Sequence, residues 1–154
     1  MFNKSNSKKI EEVVKEFFEK TTFDAEVRVA ETEEKVFSIN VKMEEPQIFI
    51  GERGETLRET QQLLKMLLYK KLGEPLTIDF DINDYKKKKI EYLKEIARAA
   101  AEEVLFTKKE KELIPMSPYE RRIVHVELQE NPDVITESRG EEPERRIIIK
   151  PKNN

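Results

Sequence analysis

The chain lacks cysteine and tryptophan and has a single histidine, His125, among its 154 residues. The absence of cysteine excludes disulfide scaffolds, thiolate metal sites and cysteine nucleophiles, and one histidine cannot build a histidine-rich metal site. No apolar run approaches the ~20 residues of a membrane span, and the polar N-terminus has no apolar signal core. We therefore expect a cytoplasmic protein with no membrane span, no metal site and no cofactor.

Charged residues, in contrast, are abundant. The chain has 29 Lys and Arg against 32 Asp and Glu, a net charge of −3, and its hydrophobic share is only 37%. A net charge near zero argues against a polycation that coats nucleic acid, but it leaves room for a local basic face. The bias towards Lys and Glu is typical of ion-pair networks in heat-adapted proteins, so we expect a thermophilic source.

Hydrophobic periodicity divides the chain at Asn83–Asp84. Residues 1–83 contain 13 basic and 17 acidic residues, a net charge of −4, whereas residues 84–154 contain 16 and 15, a net charge of +1. After a tail at residues 1–6, the pattern in residues 7–83 predicts the order α-β-β-α-α-β. The predicted elements are a helix at 7–20, strands at 26–31 and 35–43, a helical turn at 47–50, a helix ending near residue 72 and a strand at 76–82.

The second half has the predicted order α-β-α-β-β. Ser117 followed by Pro118 is the start signal of a helix that reaches about Leu128. The other predicted elements are a helix at 85–107 and strands at 113–114, 133–138 and 145–150.

A pair of glycines, Gly51 and Gly54, separates the short helical turn from the long helix after it. Glycine lets the backbone turn sharply and lie bare, and a helix N-terminus offers free N–H groups and the positive end of a dipole. A phosphate backbone can lie against such a loop, as in the KH clamp on single-stranded nucleic acid. The alternative is an ordinary corner between two helices. Arg53 favours the clamp, whereas the carboxylate of Glu52 would repel a phosphate.

Bases would then lie in an apolar groove beside this loop. Ile48 is one candidate contact, together with Met43 of the preceding strand. For Val41, Ile50 and Leu57 we favour core packing, because alternating strand and helix positions usually serve the core.

The predicted helix after Ser117 carries Arg121 and His125 four residues apart, hence on one face. Arg122 and Gln129 fall within the same arc, and we expect three other side chains to point towards a core: Tyr119, Ile123 and Val126. Arginine can bind phosphate with its donor fork, and histidine can bind phosphate or stack on a base. Taken alone, such a pair is more often a solvated face. A general base is a poor interpretation, because no serine or paired carboxylate lies at useful spacing, so we expect no catalytic residue.

Two long blocks carry a family resemblance. The segments PMSPYERRIVH (residues 115–125) and NPDVITESRGEEPERRIII (residues 131–149) resemble the C-terminal R-3-H domain of the bacterial Jag family, also called SpoIIIJ-associated proteins. The segment IGERGETL (residues 50–57) resembles the KH domain of the same proteins. The similarity covers about residues 7–151, with both motifs in the family's order.

The resemblance implies an α+β protein in which a type II KH domain at residues 7–83 precedes a small α/β R-3-H domain at residues 84–151. It implies a single-stranded nucleic-acid-binding protein, chiefly RNA-binding, that regulates after transcription and is linked to cell elongation, division, shape and cell-wall organisation. A small KH-only protein or a second copy of the chain is the expected partner. The implied contacts are Gly51, Glu52, Arg53 and Gly54 in the clamp and Arg121 and His125 in the second domain. Arg122 joins them as a candidate from its place on the helix arc, and the further candidates, which the family pattern does not by itself make functional, are Ile48, Arg139, Arg145 and Arg146.

The chain departs from the family pattern in two ways. Many members carry an extra domain ahead of the KH domain, and we expect it to be missing here. Glu52 also replaces the usual basic character of the clamp and is expected to lower its affinity.

The leading hypothesis is thus a two-module binder of single-stranded RNA, with single-stranded DNA as a second ligand. The two modules would gain affinity because the second contact becomes intramolecular. The alternative is a KH-fold protein–protein adaptor with little RNA binding of its own. An RNA-processing enzyme is disfavoured, since carboxylates such as Asp79 and Asp81 at the end of a strand are usually solvated.

Overall fold

The computed structural model describes residues 4–152. The chain forms two compact units, of which the first ends at Tyr85 and the second begins at Lys86. Both mix helices with strands, which confirms the predicted α+β class. The elements are α1 (Lys4–Lys20), β1 (Glu26–Glu33), β2 (Val36–Lys42), α2 (Gln47–Ile50), a 3-10 turn (Glu52–Gly54), α3 (Glu55–Leu72), β3 (Thr77–Ile82), α4 (Tyr85–Thr107), β4 (Lys111–Pro115), α5 (Pro118–Leu128), β5 (Val134–Arg139) and β6 (Arg146–Pro151).

The first unit is a three-stranded sheet in the order β1-β2-β3, covered by helices. β1 pairs antiparallel with β2, and β2 pairs parallel with β3. Strand residues alternate between faces, so Phe37, Ile39 and Val41 of β2 all point to the helices and are at most 1% exposed. α1 and α3 add Phe18, Leu64 and other residues to this core. The predicted order α-β-β-α-α-β is confirmed.

The predicted tail was partly wrong. α1 begins at Lys4 rather than after residue 6, and residues 1–3 lie outside the described part of the chain. The amide of Asn6 donates a 3.2 Å hydrogen bond to Glu74, so a tertiary contact supports this extra turn. Sequence signals place helix ends poorly when polar residues with no strong stop signal precede the cap.

The turn that follows β3 is fixed by the side chain of Asn83. Its carbonyl oxygen accepts a 2.9 Å hydrogen bond from the Met43 N–H, and its amide donates to the Met43 carbonyl at 2.8 Å. The Asn83 N–H also donates to the Val41 carbonyl. The proposed boundary at Asn83–Asp84 therefore lies in a turn that three hydrogen bonds of Asn83 fix at the end of the first sheet.

The second unit is an antiparallel sheet in the order β4-β6-β5, with α4 and α5 contributing to its core. Ile147 and Ile149 of the central strand β6 belong to that core. Ile148 points to the other face, yet it is fully buried as well.

Paired charges surround Ile148 on this outer face. Glu112 of β4 and Glu137 of β5 lie opposite Ile148 in register. Lys150 bonds to Glu137, and Arg146 lies 3.7 Å from Glu112. Long charged side chains cover apolar surface with their stems while their heads stay in water. Ion-paired side chains thus surround the buried Ile148 at the centre of the outer face, whereas Ile135 at its edge is 48% exposed.

Candidate nucleic-acid interface

The loop between α2 and α3 has the backbone that a clamp requires. Gly51 has φ +71° and ψ −178°, a conformation that is essentially restricted to glycine, and Gly54 is left-handed at φ +76°. Between them Glu52 and Arg53 are exposed, and Arg53 is itself left-handed at φ +53°. Gly54 is the N-cap of α3 and has no side chain with which to cap it. The loop therefore presents two charged side chains directly before the start of an 18-residue helix.

Packing within the first unit excludes a side chain at Gly51 and leaves little room for one at Gly54. A Cβ on Gly51 would lie 2.1 Å from the Thr56 hydroxyl oxygen, and one on Gly54 would lie 3.0 Å from the Tyr85 ring. The missing side chains thus make room for Thr56 and Tyr85. This internal reason was absent from the sequence interpretation, which considered only the approach of a phosphate.

Among the apolar residues near the loop, only some are accessible. Ile48 is 57% exposed, whereas Val41, Ile50 and Leu57 are buried in the core, as predicted. Met43, predicted as a groove residue, is also part of the core at 9% exposure. Ile48 is thus the candidate groove residue that solvent can reach.

In the second unit, α5 begins with a complete capping box. The Ser117 hydroxyl accepts from the Glu120 N–H, and the Glu120 carboxylate accepts from the Ser117 N–H at 2.8 Å. Pro118 follows the cap, as predicted. Because Glu120 is held back over the cap, it is 9% exposed and lies 3.5 Å from Lys89.

Arg121 is buried, at 8% exposure. Its guanidinium donates to the Met116 carbonyl at 2.7 Å and pairs with Glu142 at 2.7 Å. The expectation that Arg121 lies on a solvated cationic arc is therefore wrong, because its donors are used inside the protein. Arg121 ties α5 both to the segment before it and to the loop between β5 and β6.

His125 is half-buried beside Arg121. Its Nδ1 lies 2.6 Å from the Thr136 hydroxyl on β5. Burial lowers the pKa of His125, and the positive charge of Arg121 lowers this pKa further. His125 is therefore a neutral imidazole at pH 7.

The predicted core face of α5 was wrong for Tyr119 and Val126, whereas Ile123 does pack against the core of the second unit. Tyr119 and Val126 are 66% and 52% exposed, whereas Val124 and Leu128 are buried. Arg122 is exposed. The helix buries the side that carries Arg121, because the guanidinium finds partners there and the apolar positions 124 and 128 follow it at helical spacing.

The remaining arginine candidates all have partners within the second unit. Arg145 donates to the Ser138 hydroxyl at 2.8 Å and to the Gly140 carbonyl at 2.7 Å. Arg139 lies 3.4 Å from both Glu110 and Glu137, and Arg146 pairs with two carboxylates. These three side chains lie around β5 and β6 and not on the exposed side of α5.

Two general features can be stated for residues 4–152. No group of three acidic or histidine side chains in this range could hold a metal ion. No helix there is long and apolar enough to cross a membrane.

Comparison with known proteins assigns the second unit. The R-3-H domain family matches residues 91–151. RNA-binding protein KhpB of Clostridium symbiosum is 39% identical over 126 residues, which cover 82% of this chain and 56% of that protein. The chain is a Jag-like, KhpB-like protein with an R-3-H domain.

More distant relatives agree with this assignment. RNA-binding protein KhpB of Bacillus subtilis is 32% identical over 81% of this chain and 61% of its own length. The protein of the same name from Lactiplantibacillus plantarum is 31% identical over 66% of this chain and 32% of its own length. The chain thus spans between about a third and three fifths of the relatives it matches. The resemblance stated from the two sequence blocks is confirmed.

Proposed function

We propose that this chain binds single-stranded RNA through two modules, a KH-type clamp in the first unit and the R-3-H domain in the second. The clamp comprises residues 51–54, and the first module corresponds to residues 7–83. The observation that carries the proposal is the loop at Gly51–Gly54. Its two glycines with positive φ bring exposed side chains to the uncapped start of α3. Free N–H groups and the helix dipole attract phosphate at such a position.

The relatives support the same ligand, since they are named RNA-binding proteins. Arg53 supplies the cation of the clamp, and Ile48 offers an exposed apolar surface for a base. The chain then acts as a binder and not as an enzyme, in the cytoplasm. A role in post-transcriptional regulation and in cell elongation and division remains a prediction from the family resemblance.

Salt-dependent binding tests this proposal. We expect a fluorescently labelled single-stranded RNA to bind less tightly as NaCl rises, with a log–log slope of about −0.7 per phosphate contacted. Binding that does not change between low and moderate salt would contradict a phosphate clamp. An unlabelled DNA strand of the same sequence, used as competitor, tests whether the 2′-hydroxyl contributes.

Replacement of both Glu52 and Arg53 by Asp should abolish the clamp contribution. Asp is well tolerated at a left-handed residue such as Arg53, so the loop should keep its shape. Lys35→Asp is the matched control, because Lys35 is an exposed, left-handed cation elsewhere in the first unit. Both variants change the net charge by −2. Equal loss in the two variants would mean that charge alone, and not the loop, determines binding.

One observation favours a second candidate function, that of a protein–protein adaptor. α3 carries an exposed apolar stripe of Leu63, Met66 and Tyr69, which are 45%, 69% and 58% exposed. Such a stripe is suited to a second copy of the chain or to a small KH-only partner. Light scattering after gel filtration, with and without RNA, distinguishes this adaptor from a monomeric RNA binder.

A further inference from the structure

The exposed side of α5 groups several contact-capable residues. Tyr119, Arg122, Val126 and Gln129 follow one another at intervals of three or four residues and are all exposed. Residues at this spacing are neighbours on one helix face. We call this set the α5 outer face. It combines an accessible aromatic ring with a guanidinium one turn away.

The carboxylates of α5 do not pair with the arginine of this face. The two carboxylates of α5 are engaged elsewhere, since Glu120 closes the capping box and Glu127 pairs with Arg98 at 2.6 Å. Within the described residues, Arg122 makes no ion pair. The next carboxylate along the chain, Glu130, is exposed after the C-cap Gln129 and lies about two helical turns from Arg122. Arg122 is therefore the one charged side chain of the α5 outer face, and its guanidinium is not paired with either carboxylate of α5.

We infer that the α5 outer face is the surface on which the R-3-H domain holds single-stranded RNA. The Tyr119 ring stacks on one base, Arg122 binds the adjacent phosphate, and Val126, two turns from Tyr119, offers an apolar surface to a neighbouring base. Stacking on an exposed aromatic ring suits any base, and arginine binds phosphate with two donors. This assignment rests on the proposed RNA-binding function and gives it a second contact surface.

Other parts of the second unit are less suitable for RNA. The guanidinium of Arg121 is buried and already bonded to Met116 and Glu142, so it positions the loop and does not meet solvent. Arg139 and Arg146 are paired with carboxylates on the outer face of the sheet, where a phosphate would meet those carboxylates as well. Arg122 can bind a phosphate without breaking an ion pair, since it forms none among the described residues.

Four variants of the full chain test the inference against a labelled single-stranded RNA. We expect Tyr119→Ala to weaken binding about tenfold, since one stacked base is lost. Tyr119→Phe keeps the ring and should bind nearly as well as the unmodified chain. Arg122→Gln should weaken binding and reduce the salt slope by the contribution of about one phosphate.

Tyr92→Ala is the control, because Tyr92 is also an exposed tyrosine of the second unit with a cation, Lys89, 5.6 Å from its ring. Its removal should leave RNA binding unchanged. Circular dichroism checks that each variant is folded. If Tyr119→Ala does not fold, the crosslink to the peptide that contains Tyr119 and the effect of Arg122→Gln still test the inference.

Ultraviolet crosslinking gives a direct readout. Trypsin releases residues 112–121 as one peptide whose single aromatic residue is Tyr119. We expect the RNA adduct on this peptide and its loss in Tyr119→Ala. If Tyr119→Ala and Arg122→Gln bind like the unmodified chain while the clamp variant does not, the inference is overturned and the proposed function stands. If the unmodified chain binds no RNA, both are overturned. A change in self-association without a change in RNA binding would assign the face to protein contact and overturn the inference.

Discussion

In the first unit the signature residues Glu52 and Arg53 are exposed between two glycines, whereas in the R-3-H domain the signature residue Arg121 lies buried against Met116 and Glu142. The loop at residues 51–54 thus depends on backbone shape, and its side chains remain available. In the R-3-H domain, Arg121 holds the fold together, and the next residue, Arg122, is exposed to solvent. A motif can therefore present its side chains to solvent in one domain and hold the fold together in another.

The largest expected effect concerns Gly51, whose conformation shapes the loop of the first unit. We expect Gly51→Ala to destabilise the first unit by about 2–3 kcal/mol, because the conformation is glycine-only and the new Cβ would lie 2.1 Å from the Thr56 hydroxyl. Hydrogen exchange measured by mass spectrometry should show faster exchange in residues 4–85 than in residues 86–152. Gly73→Ala is the control for a glycine with positive φ, since a Cβ there would meet nothing within 4 Å. Unchanged exchange in Gly51→Ala would show that the loop relaxes.

The next largest effect distinguishes Arg121, which is buried, from Arg122, which is exposed. Arg121→Ala should destabilise the R-3-H domain by about 2 kcal/mol, because the buried Met116 carbonyl loses its donor and Glu142 loses its partner. Arg122→Ala should change stability by less than about 0.5 kcal/mol, as surface substitutions usually do. Urea unfolding followed by circular dichroism compares the two. Similar values for both variants would contradict a tying role for Arg121.

The smallest expected effect concerns His125. Its pKa is lowered in the folded state by burial and by Arg121, so the unfolded chain binds the proton more readily. Stability therefore falls as the pH drops below the unfolded pKa of about 6.5. Because His125 is the only histidine, the melting temperature between pH 7 and 5.5 should fall more in the unmodified chain than in His125→Gln. A nuclear magnetic resonance titration of this imidazole that gives a pKa of 6.5 or more would contradict the prediction.

The fold was largely predictable from the sequence. Alternating apolar residues identified the strands, and Gly73 ends α3 as expected by donating its N–H to the Tyr69 carbonyl. The start of α1 was not predictable, since it is supported by the contact between Asn6 and Glu74, two residues far apart in the chain.

The candidate site was only partly predictable. The glycine pair and the Ser117 cap depend on local chemistry, which the sequence displays. The buried face of α5 was misplaced because a charged residue was assumed to face water. The apolar pair Val124 and Leu128 was the available signal, since Arg121 precedes them by one and two helical turns and belongs to their stripe. The pairing of Arg121 with Glu142 could not be anticipated, because it joins a helix to a distant loop.

The ion-paired cover over Ile148 has a consequence for how such a domain can be used. A sheet with one bare apolar face needs a neighbour to shield it, and this requirement restricts what can be fused to it. Here the stems of Arg146 and Lys150 act as that shield, and their partners Glu112 and Glu137 belong to the same sheet. The centre of this face therefore needs no neighbour, and a domain joined to the R-3-H domain on this side would meet apolar surface at its edge, where Ile135 lies opposite Lys150 and is 48% exposed.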